Sequence, residues 1–118
     1  MALPQGDPIE AAVAAVSATG AEAVDAVLLV VGTSDDWETE GNDREALNLP
    51  GMQDILISRV ATAHPKAIVI NNSGSPIAMP WLEQTAAVLQ TWFPGEEARL
   101  NLLGMYKYCD LVLLSGIF

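Results

Sequence analysis

Residues 24–31 read VDAVLLVV, and this stretch decides the fold. A strand with one wet face alternates apolar and polar residues, and this run does not alternate. Its shortness and its β-branched content fit a strand buried on both faces, the signature of a parallel sheet. Gly32 ends it. Residues 67–70 (AIVI) repeat the pattern, and residues 87–92 (AVLQTW) offer a third strand.

Helical signals alternate with these strands. Asp7 suits an N-cap, Pro8 the first helical position, and Glu10 stands three residues after the cap. Ile9, Ala12, Val13 and Val16 recur at helical spacing, and Gly20 suits the stop. Pro50 and Gly51 open a second helix, with Met52, Ile55, Leu56 and Val60 as its apolar stripe. Gln53, Asp54 and Arg59 then lie away from the core, and His64-Pro65 stops the helix. A short turn is expected at 81–84 and a further helix in 94–103 (PGEEARLNLL). Strand, helix, strand, helix makes an α/β fold: a three-layer sandwich with a mostly parallel sheet and helices on both faces. In such folds function collects in the loops that leave the carboxyl ends of the strands.

Composition narrows the functions. Of 118 residues, 51% are hydrophobic, which is a globular balance. Five Lys and Arg against 15 Asp and Glu give a formal net charge of −10, which argues against a grip on nucleic acid or anionic lipid. The single cysteine, Cys109, makes neither an internal disulfide nor a Cys-rich zinc site. No basic stretch followed by an apolar run opens the chain, and no apolar run approaches a bilayer's width, so a soluble intracellular protein is expected.

Six of the 15 acidic residues crowd between the first strand and the second helix: Asp35, Asp36, Glu38, Glu40, Asp43 and Glu45. Crowded carboxylates raise one another's pKa, and a carboxylic acid kept protonated is what general acid catalysis needs. The competing reading is a solvated acidic loop, but this one is long for an α/β connection and holds Trp37 among its charges. A calcium loop counted from Asp36 fails, because its twelfth position is Leu47. The loop NNSGSP at 71–76 lacks a phosphate-binding lysine, and no nucleophile elbow surrounds Ser73. His64 reads as a helix-end residue bonded to carbonyls, and Trp81 and Trp92 as core.

These motifs, taken in order, carry a resemblance. The acidic loop E-G-x-D-R, the helix opening L-P-G-x-Q, the loop N-x-S-G-S-P and the turn W-F-P-G-E follow one another, within a likeness that runs from about residue 7 to about residue 103. Together they resemble the C-terminal α/β domain of glycoside hydrolase family 3, the β-glucosidase group. The resemblance implies a retaining site shared by two domains, acting on a β-glucoside or oligosaccharide without a cofactor or metal. A (β/α)₈ barrel would supply the nucleophile, and this domain the general acid/base. The matching residue is Glu40, standing before the glycine of the acidic motif, with Glu38 as the alternative. Asp43 and Arg44 match the motif's D-R pair, whose implied task is to hold the loop through a charge-assisted hydrogen bond. Trp37 is implied as a sugar platform or a loop anchor, and Asn42 stands where relatives are often aromatic.

The resemblance also sets expected boundaries: a disordered start at 1–6, a partial domain at 7–103, and a divergent apolar tail at 104–118. No barrel or nucleophile motif occurs in the chain, and the tail departs from the glycine-rich helix that the resemblance implies. A truncated β-glucosidase domain, inactive alone, is therefore expected. The alternative is a non-catalytic module that binds a sugar or a partner through the same loops.

Overall fold

The computed structural model describes residues 6–20, 23–41, 43–93 and 95, and the backbone of 111–115. Helix α1 (Pro8–Val16) is followed by β1 (Ala26–Gly32), α2 (Gln53–Ala63), β2 (Ala67–Asn72), a 3-10 turn (Leu82–Gln84), β3 (Ala87–Gln90) and β4 (Leu111–Ser115). The four strands form one sheet in the order β3-β2-β1-β4. All three pairings are parallel, from Val27 opposite Ala67 to Gly32 opposite Asn72 between the central strands. This is an α/β sandwich with an open parallel sheet, as the apolar runs require. The tail contributes β4, paired with β1 from Ala26–Leu111 to Val30–Ser115. The helix expected in 94–103 lies outside the described residues.

One face of the sheet presents Val27, Leu29 and Val31 of β1 with Ala67 and Val69 of β2. Against it pack Val16 of α1, Ile57, Val60 and Ala61 of α2, and Leu49 and Trp81 from the loops. Leu28 and Ile70, which alternation sends to the opposite face, are equally buried. The central strands are thus covered on both sides, and each fully buried aliphatic side chain contributes about 1.5–3 kcal/mol.

Helix α1 begins as expected. The Asp7 carboxylate accepts from the Ile9 amide at 2.9 Å, capping the first turn. Glu10 pairs with Arg59 of α2 across the helix–helix contact. The helix stops before Gly20, at Ser17, whose amide and hydroxyl both bond the Val13 carbonyl.

Helix α2 corrects its expected stripe. Met52 and Ile55 are exposed, whereas Gln53 is buried and the apolar contacts come from Ile57, Val60 and Ala61. Gln53 turns inward because its carboxamide has a polar partner in the core. Its Oε1 accepts from the Gly32 amide and its Nε2 donates to the Gly32 carbonyl, both at 2.9 Å. In a strand the N–H and C=O of one residue point to the same side, so one carboxamide satisfies both. Asp54 is engaged as well, accepting from the Trp81 indole at 2.6 Å and from Asn48 at 3.2 Å. His64 ends the helix and bonds the Val24 carbonyl through Nε2 at 3.1 Å, as expected for a helix-end residue.

Trp81 is buried as the sequence implied, but Trp92 is not: it is exposed, with φ of 58°. That left-handed backbone breaks the extended conformation, so β3 ends at Gln90 and not at 92.

Gln53→Leu is expected to lower stability by about 2–4 kcal/mol, because it leaves two buried backbone groups without partners. Met52→Lys at the neighbouring exposed position is expected to change it by less than about 0.5 kcal/mol. Urea midpoints of the two variants check this, and equal shifts would count against the core role of Gln53.

Candidate functional site

Three loops leave the carboxyl ends of β1, β2 and β3, and backbone and side-chain bonds lace them together. The Thr33 amide donates to the Asn72 carbonyl at 3.1 Å, extending the β1–β2 pairing by one bond. The Thr91 amide donates to the Asn71 carbonyl at 2.9 Å and does the same for β2 and β3. Gly32 leaves room for the neighbouring strand, since a Cβ there would collide with the Asn72 carbonyl.

The acidic loop starts as one helical turn, with the Trp37 and Glu38 amides both donating to the Ser34 carbonyl at 2.9 Å. The Thr39 hydroxyl bonds the Asp35 carbonyl. This turn faces Glu38 inward. Its Oε1 accepts from Thr33 Oγ1 at 2.6 Å and from Ser75 Oγ at 2.9 Å, so one carboxylate oxygen joins the loops after β1 and β2. Gly74 makes room for it, because a Cβ at 74 would collide with Glu38 Oε2 and with the Phe93 ring. Burial pushes the Glu38 carboxyl up. The hydrogen bonds from Thr33 and from the Ser75 side chain and backbone, with the nearby Arg44 charge, outweigh burial and hold it below its ordinary value. Crowding alone implied the opposite direction.

Each remaining motif residue has a place. Arg44 donates from Nη2 to the Pro76 carbonyl at 2.7 Å, so it ties the acidic loop to the second loop. Among the described residues it makes no ion pair with Asp43, which is exposed. The Ala78 amide donates to the Leu47 carbonyl at 2.8 Å, a further tie between the same two loops. Asn71 donates to Ser73 Oγ at 2.8 Å and to Gln90 Oε1 at 2.6 Å, and Gln90 Nε2 returns a bond to the Ser73 carbonyl at 3.2 Å. Residues 71–76 therefore serve as a brace between β3 and the acidic loop.

Glu40 is exposed, and among the described residues its carboxylate has no hydrogen-bond partner. Trp37 is exposed on the turn beside it, and Asn42 lies outside the described residues. Sequence reasoning missed Thr33, Ser75 and Gln53. Their signal was present in the motifs themselves, because small hydroxyl and amide residues beside a glycine at strand ends are suited to bonding neighbouring loops. Among the described residues no group of three or more His, Cys, Asp and Glu could hold a metal ion, and no helix is long and apolar enough to cross a membrane.

Comparison with known proteins agrees with this architecture. Residues 7–103 match the model of the glycosyl hydrolase family 3 C-terminal domain. The probable β-glucosidase I of Aspergillus clavatus is 47% identical over 77 residues, which cover 65% of this chain and 9% of that protein. The crystal structure of a β-glucosidase from Kluyveromyces marxianus in complex with glucose superposes with a TM-score of 0.70 at 34% identity, covering 81% of this chain and 11% of that one. A β-glucosidase from Streptomyces venezuelae, solved with D-glucose, matches at a TM-score of 0.56 and 41% identity over 73% of this chain and 10% of its own. The chain spans about a tenth of the length of the curated relatives it matches. With its acidic loop and its N-x-S-G-S-P loop bonded together at the strand ends and residues 7–103 matched, the chain belongs to glycosyl hydrolase family 3, as that family's C-terminal domain.

Proposed function

We propose that this segment supplies the general acid/base of a retaining β-glucosidase and that Glu40 is the residue that performs it. The nucleophile comes from a (β/α)₈ barrel outside the segment. The supporting relatives are β-glucosidases about ten times its length, two of them solved with glucose.

One observation favours Glu40 over Glu38. Glu38 is spent on Thr33 and Ser75 inside the domain, whereas Glu40 is exposed and unbonded among the described residues. A general acid must come within hydrogen-bond reach of a leaving oxygen that belongs to another molecule, and only a free carboxyl can do so. Glu38 is also held ionised, which suits an acceptor and not a proton donor.

The chemistry then has two steps. As the barrel carboxylate attacks the anomeric carbon, the glycosidic carbon–oxygen bond breaks and the Glu40 carboxyl transfers its proton to the departing oxygen. Glu40, now a carboxylate, removes a proton from water as that water attacks the anomeric carbon. The bond to the nucleophile breaks, glucose leaves, and Glu40 is protonated again. Trp37, exposed on the turn, contacts the sugar or its aglycone in this reading.

The test needs a complete enzyme, made by grafting residues 7–93 over the matching segment of the K. marxianus β-glucosidase. Glu40→Gln is expected to lower kcat/KM for an alkyl β-glucoside by roughly 10²–10⁴-fold. A dinitrophenyl β-glucoside, whose leaving group needs no proton, should lose far less in the glycosylation step. Equal losses on both substrates would reject Glu40 as the acid. The 118-residue chain alone is expected to show no turnover of an aryl β-glucoside. Turnover abolished by Glu40→Gln would put the second carboxylate within this segment.

A further inference from the structure

A loop that must deliver a proton has a mechanical problem. The acidic connection runs from Thr33 to the start of α2, is largely exposed, and carries six like charges that repel one another. Left to itself, such a loop spreads away from the sheet, and a general acid displaced by about 1 Å can lose roughly 10²-fold in rate. Something has to hold it.

The bonds that do so meet at Glu38. Its Oε1 receives two hydroxyls from two different loops, Thr33 at 2.6 Å and Ser75 at 2.9 Å. Arg44, on the far side of Glu40, fastens the same loop to the Pro76 carbonyl at 2.7 Å. Glu40 therefore lies between two attachments to residues 75 and 76, one on each side of it in the chain. Only Thr39 separates it from Glu38, and the Thr39 hydroxyl is itself bonded to the Asp35 carbonyl, so the intervening backbone has little slack. The acceptor is suited to its task, because an ionised carboxylate draws two hydroxyl donors more strongly than a neutral oxygen would. The support behind Ser75 is also fixed, since Gln90 and Asn71 hold Ser73, and the bare Gly74 lets the carboxylate approach.

We propose that Glu38 is a positioning residue which, with Thr33 and Ser75, clamps the acidic loop so that Glu40 is held where proton transfer occurs. The proposal rests on the reading of Glu40 as acid/base. It gives the hydroxyls of Thr33 and Ser75 a part in the rate without contact with the sugar. The sugar meets Glu40, and Glu40's position is set by the clamp.

The experiment uses the grafted full-length enzyme with the double substitution Thr33→Val and Ser75→Ala, beside Glu40→Gln. The double variant is expected to lower kcat on an alkyl β-glucoside by roughly 10- to 100-fold, the worth of a charge-assisted hydrogen bond or somewhat more. KM on the alkyl glucoside should stay within about twofold, and the loss of kcat/KM on a dinitrophenyl β-glucoside should be several times smaller, because that ratio reports the glycosylation step, where a misplaced acid matters only if the leaving oxygen needs a proton. Thr33→Ser with Ser75→Thr keeps both hydroxyls and is expected to retain most of the rate. In the 118-residue chain, the double variant should speed hydrogen exchange at the Trp37 and Glu38 amides and leave β1 and β2 protected.

A loss equal on both substrates, or no loss, overturns the clamp while Glu40→Gln still shows its leaving-group dependence. Exchange that accelerates equally in the sheet also overturns it, since the hydroxyls would then serve stability alone. If Glu40→Gln shows no leaving-group dependence, the acid/base reading fails first and the clamp falls with it.

Discussion

The pairing of the Gln53 carboxamide with the backbone of Gly32 is the constraint on which the strand-end region depends. It joins the last residue of β1 to the first turn of α2, 21 positions later, through two hydrogen bonds in the core. Between those points runs the whole acidic loop. Closing a loop of this size costs conformational entropy, and doubling its length adds only about 0.6 kcal/mol, so two buried bonds at its base suffice to hold the ends together. The close β1–β2 approach at Gly32 completes the joint, because the same residue fits against Asn72 on one side and against Gln53 on the other. A strand end fixed in this way makes a rigid platform from which a long polar loop can project.

From that platform the loops reinforce one another. Each residue of the second loop contributes a bond or a space: Asn71 with Gln90, Asn72 with Thr33, Ser73 with Gln90, Gly74 by its bareness, Ser75 with Glu38, and Pro76 with Arg44. The motif N-x-S-G-S-P resembles a phosphate cradle in composition but performs a different task. Apart from the buried Asn71 Oδ1, which has no partner among the described residues, its side chains bond within the protein, and it transmits the rigidity of the sheet into the acidic loop. The D-R element likewise works through a carbonyl of the neighbouring loop and not through its own aspartate. Arginine suits that position because a planar guanidinium can bond a backbone oxygen while its charge steadies the Glu38 carboxylate.

How much of this was legible in the residues depends on where each signal lay. The central strands announced themselves because a strand buried on both faces leaves no alternation to misread, and Val27–Val31 and Ala67–Ile70 are apolar almost throughout. The start of α1 was written in Asp7 and Pro8. The orientation of α2 was not, because periodicity counts apolar residues and takes a glutamine for a solvent residue. Gln53 is buried for a reason that local sequence does not contain, namely two backbone groups of Gly32 that need partners. Met52 and Ile55 are correspondingly displaced outward. Trp92 failed in the same direction, since an aromatic in an apolar neighbourhood reads as core unless its backbone is known to turn away from the sheet. The acidic loop was visible as a concentration of charge, and the resemblance gave its residues roles, but composition treats six carboxylates as equivalent.

They are not equivalent. Glu38 and Glu40 are separated by one residue in the same run of charge, and nothing in their spacing distinguishes a tether from a free carboxylate. What distinguishes them is hydrogen-bond supply. A carboxylate facing the strand ends meets the hydroxyls and amides that the fold must place there to finish its backbone pairing, and these favour its ionised form. A carboxylate facing solvent meets no such donors and stays open to whatever approaches from outside. On the proposed reading, two glutamates with one residue between them give the loop both functions at once. The inward one converts the sheet's rigidity into position, and the outward one has that position to use.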